Sequence, residues 1–144
     1  MSNTAKVRLS GENFRKIVAH AESVYPNEAC GLLGGVAQDG VRDVREVYLL
    51  TNVDASNEHF SMDPREQLAA IKDMRSKGLQ PLGNWHSHPE TPSRPSEEDV
   101  RLAYDPNATY MILSLESRMA PNLNAFRIRE GKYEWEILEL YDRF

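Results

Sequence analysis

Asn84-Trp85-His86-Ser87-His88-Pro89-Glu90-Thr91-Pro92-Ser93-Arg94-Pro95-Ser96-Glu97-Glu98-Asp99 is the stretch whose reading decides the fold. Leu79 to Ser87 reads as a central strand, the prolines that follow as a loop, and Glu97 to about Ala103 as a short helix. Asp105-Pro106 stops that helix, because the residue before a proline avoids the helical region. Strand residues i and i+2 point to one face, so His86 and His88 present both imidazoles to one place. Imidazole nitrogen and carboxylate oxygen are ligands that suit zinc, and three protein ligands with an open fourth position make a catalytic arrangement.

The residues alone leave alternatives open. A histidine is more often an ordinary core or surface residue than a ligand. Ser96-Glu97-Glu98-Asp99 is close to a capping box, with serine at the helix N-cap and an acidic residue three positions on. Near the helix start Asp99 is held rigid and ionised by backbone N–H groups and the helix dipole. A side chain turned back to cap cannot easily also face a metal, so one role is expected to dominate. His20 and His59 lack comparable context and read as ordinary surface residues.

Outward from this stretch, the chain alternates strand and helix signals. Lys6 to Leu9 is a short strand, and Ser10 caps a helix running to about Val24, with Phe14, Ile17, Val18 and Ala21 as its apolar stripe. Tyr25-Pro26-Asn27 breaks it. Glu28 to Val36 is a buried strand whose glycines suggest a bulge or a close backbone approach. Gln38-Asp39-Gly40 carries hairpin-turn chemistry, and Val41 to Asn52 continues as a strand. Val53 to Met62 is a loop or short edge strand. Asp63-Pro64-Arg65-Glu66 starts a helix that Gly78 ends, with Leu68, Ile71 and Met74 facing inward. Ala108 to Leu115 is a strand, and Leu123 to Glu130 pairs with Lys132 to Tyr141 across Glu130-Gly131. The expected class is α/β (α+β): one mixed, curled central sheet flanked by about three helices, a single domain over 6–144 behind a loose tail at 1–5.

Composition narrows the function. The net charge of −5 argues against nucleic acid or anionic membrane as partner, since both need a basic face. No apolar run approaches the roughly 18 residues that span a bilayer, and Met1 to Lys6 lacks the apolar core of a signal peptide. A single cysteine excludes an internal disulfide and fits a reducing, cytoplasmic setting. It also means that any metal must be held by His, Asp or Glu, which excludes thiolate-ligated zinc sites. Cys30 reads as a small buried hydrophobe. Glu28, at the start of an apolar strand, is either a satisfied ion pair or a general base beside a metal site.

These residues together resemble the JAMM (MPN+) metallopeptidases. The family motif is an upstream glutamate, then His-x-His-Pro, six residues, and Ser-x-x-Asp. Here it stands as Glu28, His86-Ser87-His88-Pro89, six residues, Ser96, Glu97-Glu98 and Asp99. Glu-Ala-Cys-Gly-Leu-Leu-Gly-Gly around Glu28, Phe60-Ser61-Met62-Asp63-Pro64 and the closing strands are similar too, so the likeness covers nearly the whole chain.

The resemblance implies an MPN-type (cytidine-deaminase-like) fold and Zn²⁺ on His86, His88 and Asp99 with water as fourth ligand. It implies Glu28 as general base and Ser96 as hydrogen-bond donor to the developing oxyanion. It implies cleavage of a peptide or isopeptide bond after the Gly-Gly tail of a small ubiquitin-like protein. The short Val53 to Met62 and Glu116 to Asn122 segments most resemble bacterial members that act on sulfur-carrier proteins. The tail would then lie along an exposed strand edge near Val53 to Met62. A non-catalytic scaffold domain of the same fold, and a zinc hydrolase of small peptides, are the alternatives.

Overall fold

Ten elements follow one another in a computed structural model that describes residues 6–142. They are β1 (Lys6–Ser10), α1 (Gly11–Val24), β2 (Cys30–Gln38), β3 (Val41–Leu50), α2 (Pro64–Ser76), β4 (Gln80–His88), α3 (Glu97–Leu102), β5 (Thr109–Ser114), β6 (Asn122–Arg129) and β7 (Lys132–Tyr141). The tail expected at 1–5 lies outside the described residues.

The expected mixed sheet curls all the way to closure, in the order β1-β3-β2-β4-β5-β6-β7. β4 pairs antiparallel with β2 and parallel with β5, so the histidine strand sits in the middle. β1 closes the sheet by pairing in parallel with both β3 and β7. The tight hairpins turn where the sequence placed them, at Asp39-Gly40 and Glu130-Gly131, all four residues having positive φ.

The bulge expected from the glycines of β2 falls at Gly34, where the register shifts against both neighbouring strands. A close approach occurs at Gly31. A Cβ there would stand 1.8 Å from the Tyr48 carbonyl oxygen and 2.2 Å from the Trp85 indole nitrogen.

The two faces of the sheet have different tasks. Leu33, Trp85, Met111, Leu113 and Ala125 turn to one face, where Ile17 and Ala21 of α1 complete the main core. His86, His88, Tyr110 and Ile112 alternate onto the other face. There Val100 of α3 and its C-cap Ala103 pack against Ala108, Tyr110 and Ile128. Met74 of α2 packs onto the same sheet at Gly34, where a Cβ would come within 3.0 Å of its side chain.

One expected contact fails. Leu68 is 56% exposed rather than inward-facing. The stripe that α2 buries is Ala70 and Met74, with Gln67 and Ile71 half-buried. That face lies one residue, about 100°, away from Leu68. All three helices begin on the expected caps, Ser10, Asp63 and Ser96.

Candidate metal centre

Ser87, buried between the two histidines, fixes the inner end of the site. Its hydroxyl accepts from the Ala29 N–H at 2.8 Å, and its own N–H donates to the Ala29 carbonyl at 3.0 Å. These bonds lash β4 to the residue after Glu28. The outer end is fixed by the proline loop. The Ser93 hydroxyl donates to Ile112 O and the Ser114 hydroxyl to Thr91 O, each at 2.6 Å. The loop then delivers Ser96 and α3 back over β4.

The result is a triangle of potential ligand atoms. His86 Nε2 lies 3.2 Å from His88 Nε2, and Asp99 Oδ2 lies 3.2 and 3.1 Å from those two nitrogens. A tetrahedral zinc site with bonds of roughly 2.0–2.1 Å separates its ligand atoms by about 3.3–3.4 Å. Donor chemistry and spacing both fit such an ion. His88 Nδ1 donates to the Pro92 carbonyl at 2.9 Å, which leaves Nε2 with the lone pair in the neutral ring. Among the described residues this is the group of three His, Cys, Asp or Glu side chains spaced to hold a metal.

Capping and convergence do not compete, contrary to the expectation from spacing. One oxygen serves both: Asp99 Oδ2 accepts from the Ser96 N–H at 2.9 Å while facing both imidazoles. The Ser96 hydroxyl in turn accepts from the Asp99 N–H at 3.0 Å, completing the capping box. Burial opposes charge on Asp99, but the two imidazoles and the Ser96 N–H hold its carboxyl far below the usual carboxylate range. Burial likewise opposes charge on His88; Asp99, the Pro92 carbonyl and Glu28 outweigh it and raise its pKa.

Glu28 is buried, and no ion pair satisfies it among the described residues; it lines a cleft of about 400 Å³ together with His86 and Asp99. Burial pushes its pKa from 4.5 up to about 8, with His88 as the main opposing influence. Its backbone is held by the loop after β3: its N–H donates to Ser56 O at 2.7 Å, and its carbonyl accepts from the Asn52 amide at 3.0 Å. Cys30, two residues on and opposite His86, is buried, and burial pushes its thiol up to about 12, as suits an inert side chain.

Four contributions escaped the sequence. Ser87 and Asn52 are common polar residues whose roles depend on partners distant in the chain. Phe60 stacks on the His86 ring, with centroids 4.6 Å apart and planes 24° from parallel. His59 is exposed as expected but pairs with Glu98 of α3 at 3.0 Å across the cleft. His20 departs from its surface reading. It is half-buried, with Nε2 3.0 Å from the Leu50 carbonyl and its ring edge-on to Trp85.

Residues 11–129 match the family described as prokaryotic homologs of the JAB domain. The chain belongs to the JAB/MPN family. Within it, the CysO-cysteine peptidase of Mycobacterium tuberculosis is 32% identical over 128 residues, covering 89% of this chain and 86% of that one. The desampylase of Haloferax volcanii is 30% identical over 121 residues, covering 81% and 86%. A solution structure of a protein from Desulfitobacterium hafniense superposes with a TM-score of 0.88 at 49% identity, covering 94% and 93%. The chain is an enzyme of the JAMM peptidase type, with the mixed sheet and three helices of the JAB/MPN fold. No helix among the described residues is long and apolar enough to cross a membrane.

Proposed function

We propose that this JAMM-type enzyme is a zinc-dependent hydrolase. Its substrate is the bond that follows the C-terminal Gly-Gly of a small ubiquitin-like sulfur-carrier protein in the cytoplasm. The observation that carries the reading is the triangle of His86 Nε2, His88 Nε2 and Asp99 Oδ2, 3.1–3.2 Å on a side, at the wall of a cleft that Glu28 also lines. The relatives named CysO-cysteine peptidase and desampylase support the substrate class.

His86, His88 and Asp99 hold the ion. When bound, zinc supplies Lewis acidity to the scissile carbonyl and lowers the pKa of water toward about 7. Glu28 takes the proton of the attacking water and later passes it to the leaving amine. Its elevated pKa suits a group that must both accept and release a proton near neutrality. The Ser96 hydroxyl accepts from Asp99 N–H and so still has its own proton to donate to the carbonyl oxygen as charge develops there.

The tail enters by the cleft between Phe60–Met62 and α3, beside the Val53 to Met62 segment. The His59–Glu98 pair across that cleft favours a narrow, extended chain, which glycines provide. Incubating the zinc-loaded enzyme with carrier proteins ending in Gly-Gly plus an adduct, and reading intact mass, tests the proposal. The adduct is expected to leave with the Gly-Gly terminus intact. Unchanged mass for such carriers, alongside cleavage of short free peptides, overturns the substrate assignment.

A further inference from the structure

The two histidines of the triangle are secured differently. His88 has its ring plane fixed by the 2.9 Å bond from Nδ1 to Pro92 O. His86 has no counterpart: its Nδ1 is buried without a hydrogen-bond partner among the described residues. An imidazole turns on a broad torsional well, so something other than a rotamer preference must set its plane. His88 meets that ring only edge-on, with centroids 5.0 Å apart, whereas Phe60 lies stacked on its face at 4.6 Å.

Phe60 is itself held from both sides. The Asn52 side chain spends its hydrogen-bonding capacity on the residues around it: Nδ2 donates to Glu28 O and His59 O, and Oδ1 accepts from Asp54 N and Ser61 N. Residues 59 and 61 are thus pinned to one amide, with Phe60 between them. The Ser61 carbonyl accepts from the Val53 N–H at 2.9 Å, and the Ser61 hydroxyl donates to Asp54 at 2.9 Å. Beyond them, His59 reaches Glu98, the neighbour of Asp99. Residues 52–62 therefore form a strap that touches the Glu28 backbone, the His86 ring and α3.

We infer that Phe60 is a positioning residue for the metal site, its anchored ring fixing the plane of the His86 imidazole where no hydrogen bond to Nδ1 does so. The inference rests on His86, His88 and Asp99 being the metal ligands. Partners that orient a ligating histidine are worth roughly 10–100-fold in metal affinity. A flat ring is what the role demands, so tyrosine should fill it and a branched aliphatic side chain should not.

Zinc affinity measured by competition with a chromogenic chelator tests this on the wild type, Phe60→Leu and Phe60→Tyr. Thermal melting of each chelated protein checks that it is folded. Phe60→Leu is expected to bind zinc about tenfold more weakly or worse, and Phe60→Tyr within about threefold of wild type. Phe60→Met is read in the same way if the leucine variant does not fold. Wild-type affinity in the leucine or methionine variant overturns the inference, and so does a tyrosine variant as weak as leucine. A wild-type protein that takes up no zinc removes the ligand assignment itself, a result distinct from either of these.

Discussion

Replacing Glu28 with glutamine should free the metal-free protein from a loss of stability that the wild type suffers as pH rises. Glu28 is 5% exposed, and burial raises its carboxyl from 4.5 to about 8. Between those pH values the folded protein holds a proton that the unfolded chain has released. The stabilisation from that proton is fully present below pH 4.5 and is lost as pH climbs through about 8. The gap between 4.5 and about 8, at 1.36 kcal/mol per pH unit, amounts to about 5 kcal/mol in all. Of this, about 3 kcal/mol falls between pH 6 and pH 9.

Glutamine matches the protonated acid in shape and does not titrate, so it isolates the contribution from every other group. Guanidinium unfolding in excess chelator, followed by tryptophan fluorescence at pH 6 and pH 9, is a direct measurement, since Trp85 is wholly buried. The stability of Glu28→Gln minus that of wild type should grow by about 3 kcal/mol over that interval. A difference that stays constant within about 0.5 kcal/mol refutes the account of Glu28 as a desolvated carboxyl. Zinc should shrink the gap, because a divalent cation in the cleft favours the ionised carboxylate.

Three other perturbations separate the roles assigned above. Asp99→Ala should abolish stoichiometric zinc in metal analysis while costing the chelated protein about 1 kcal/mol for its lost cap; zinc retained at wild-type stoichiometry would leave Asp99 a cap only. Ser96→Ala should lower kcat about 100-fold or more with KM nearly unchanged, and a loss under threefold in steady-state cleavage would remove Ser96 as the oxyanion donor. Gly31→Ala sets a methyl against the Tyr48 carbonyl oxygen and the indole nitrogen of Trp85. It should destabilise by about 3 kcal/mol or more with an altered near-ultraviolet spectrum, and wild-type stability would show that this approach can relax.

Local chemistry made much of this molecule legible in advance. Hairpin turns need residues that tolerate positive φ, helices need caps, and strands alternate with period two; Asp39-Gly40, Ser10, Asp63, Ser96 and the His86/His88 pair announce themselves on those grounds. What stayed hidden depends on partners far away in the chain. Closure of the sheet comes from β1 pairing with both β3 and β7, a register no local pattern specifies. Leu68 fits an apolar stripe by spacing, but the neighbouring stripe through Ala70 and Met74 has the sheet to pack on. His20 is drawn inward by a carbonyl thirty residues away. The 52–62 strap is polar and aperiodic, so its order, set by Asn52, leaves no signature in hydrophobic patterning.

The Asp99 oxygen caps α3 and faces both imidazoles at once. α3 is only six residues long and buries no side chain completely, so packing alone holds it loosely. The capping box supplies the missing constraint. Asp99 Oδ2 accepts from Ser96 N–H, while Asp99 N–H donates back to the Ser96 hydroxyl. A carboxylate fixed in this way can use its remaining lone pairs toward the imidazoles without giving up the cap. On the proposed ligand assignment, the cap therefore does for Asp99 what the Pro92 carbonyl does for His88. It sets the donor atom in place and in its ionised form beforehand, so that receiving a cation requires little reorganisation of the chain. The same reciprocal bond fixes the Ser96 hydroxyl at the start of α3, which ties the placement of the proposed oxyanion donor to that of the proposed ligand.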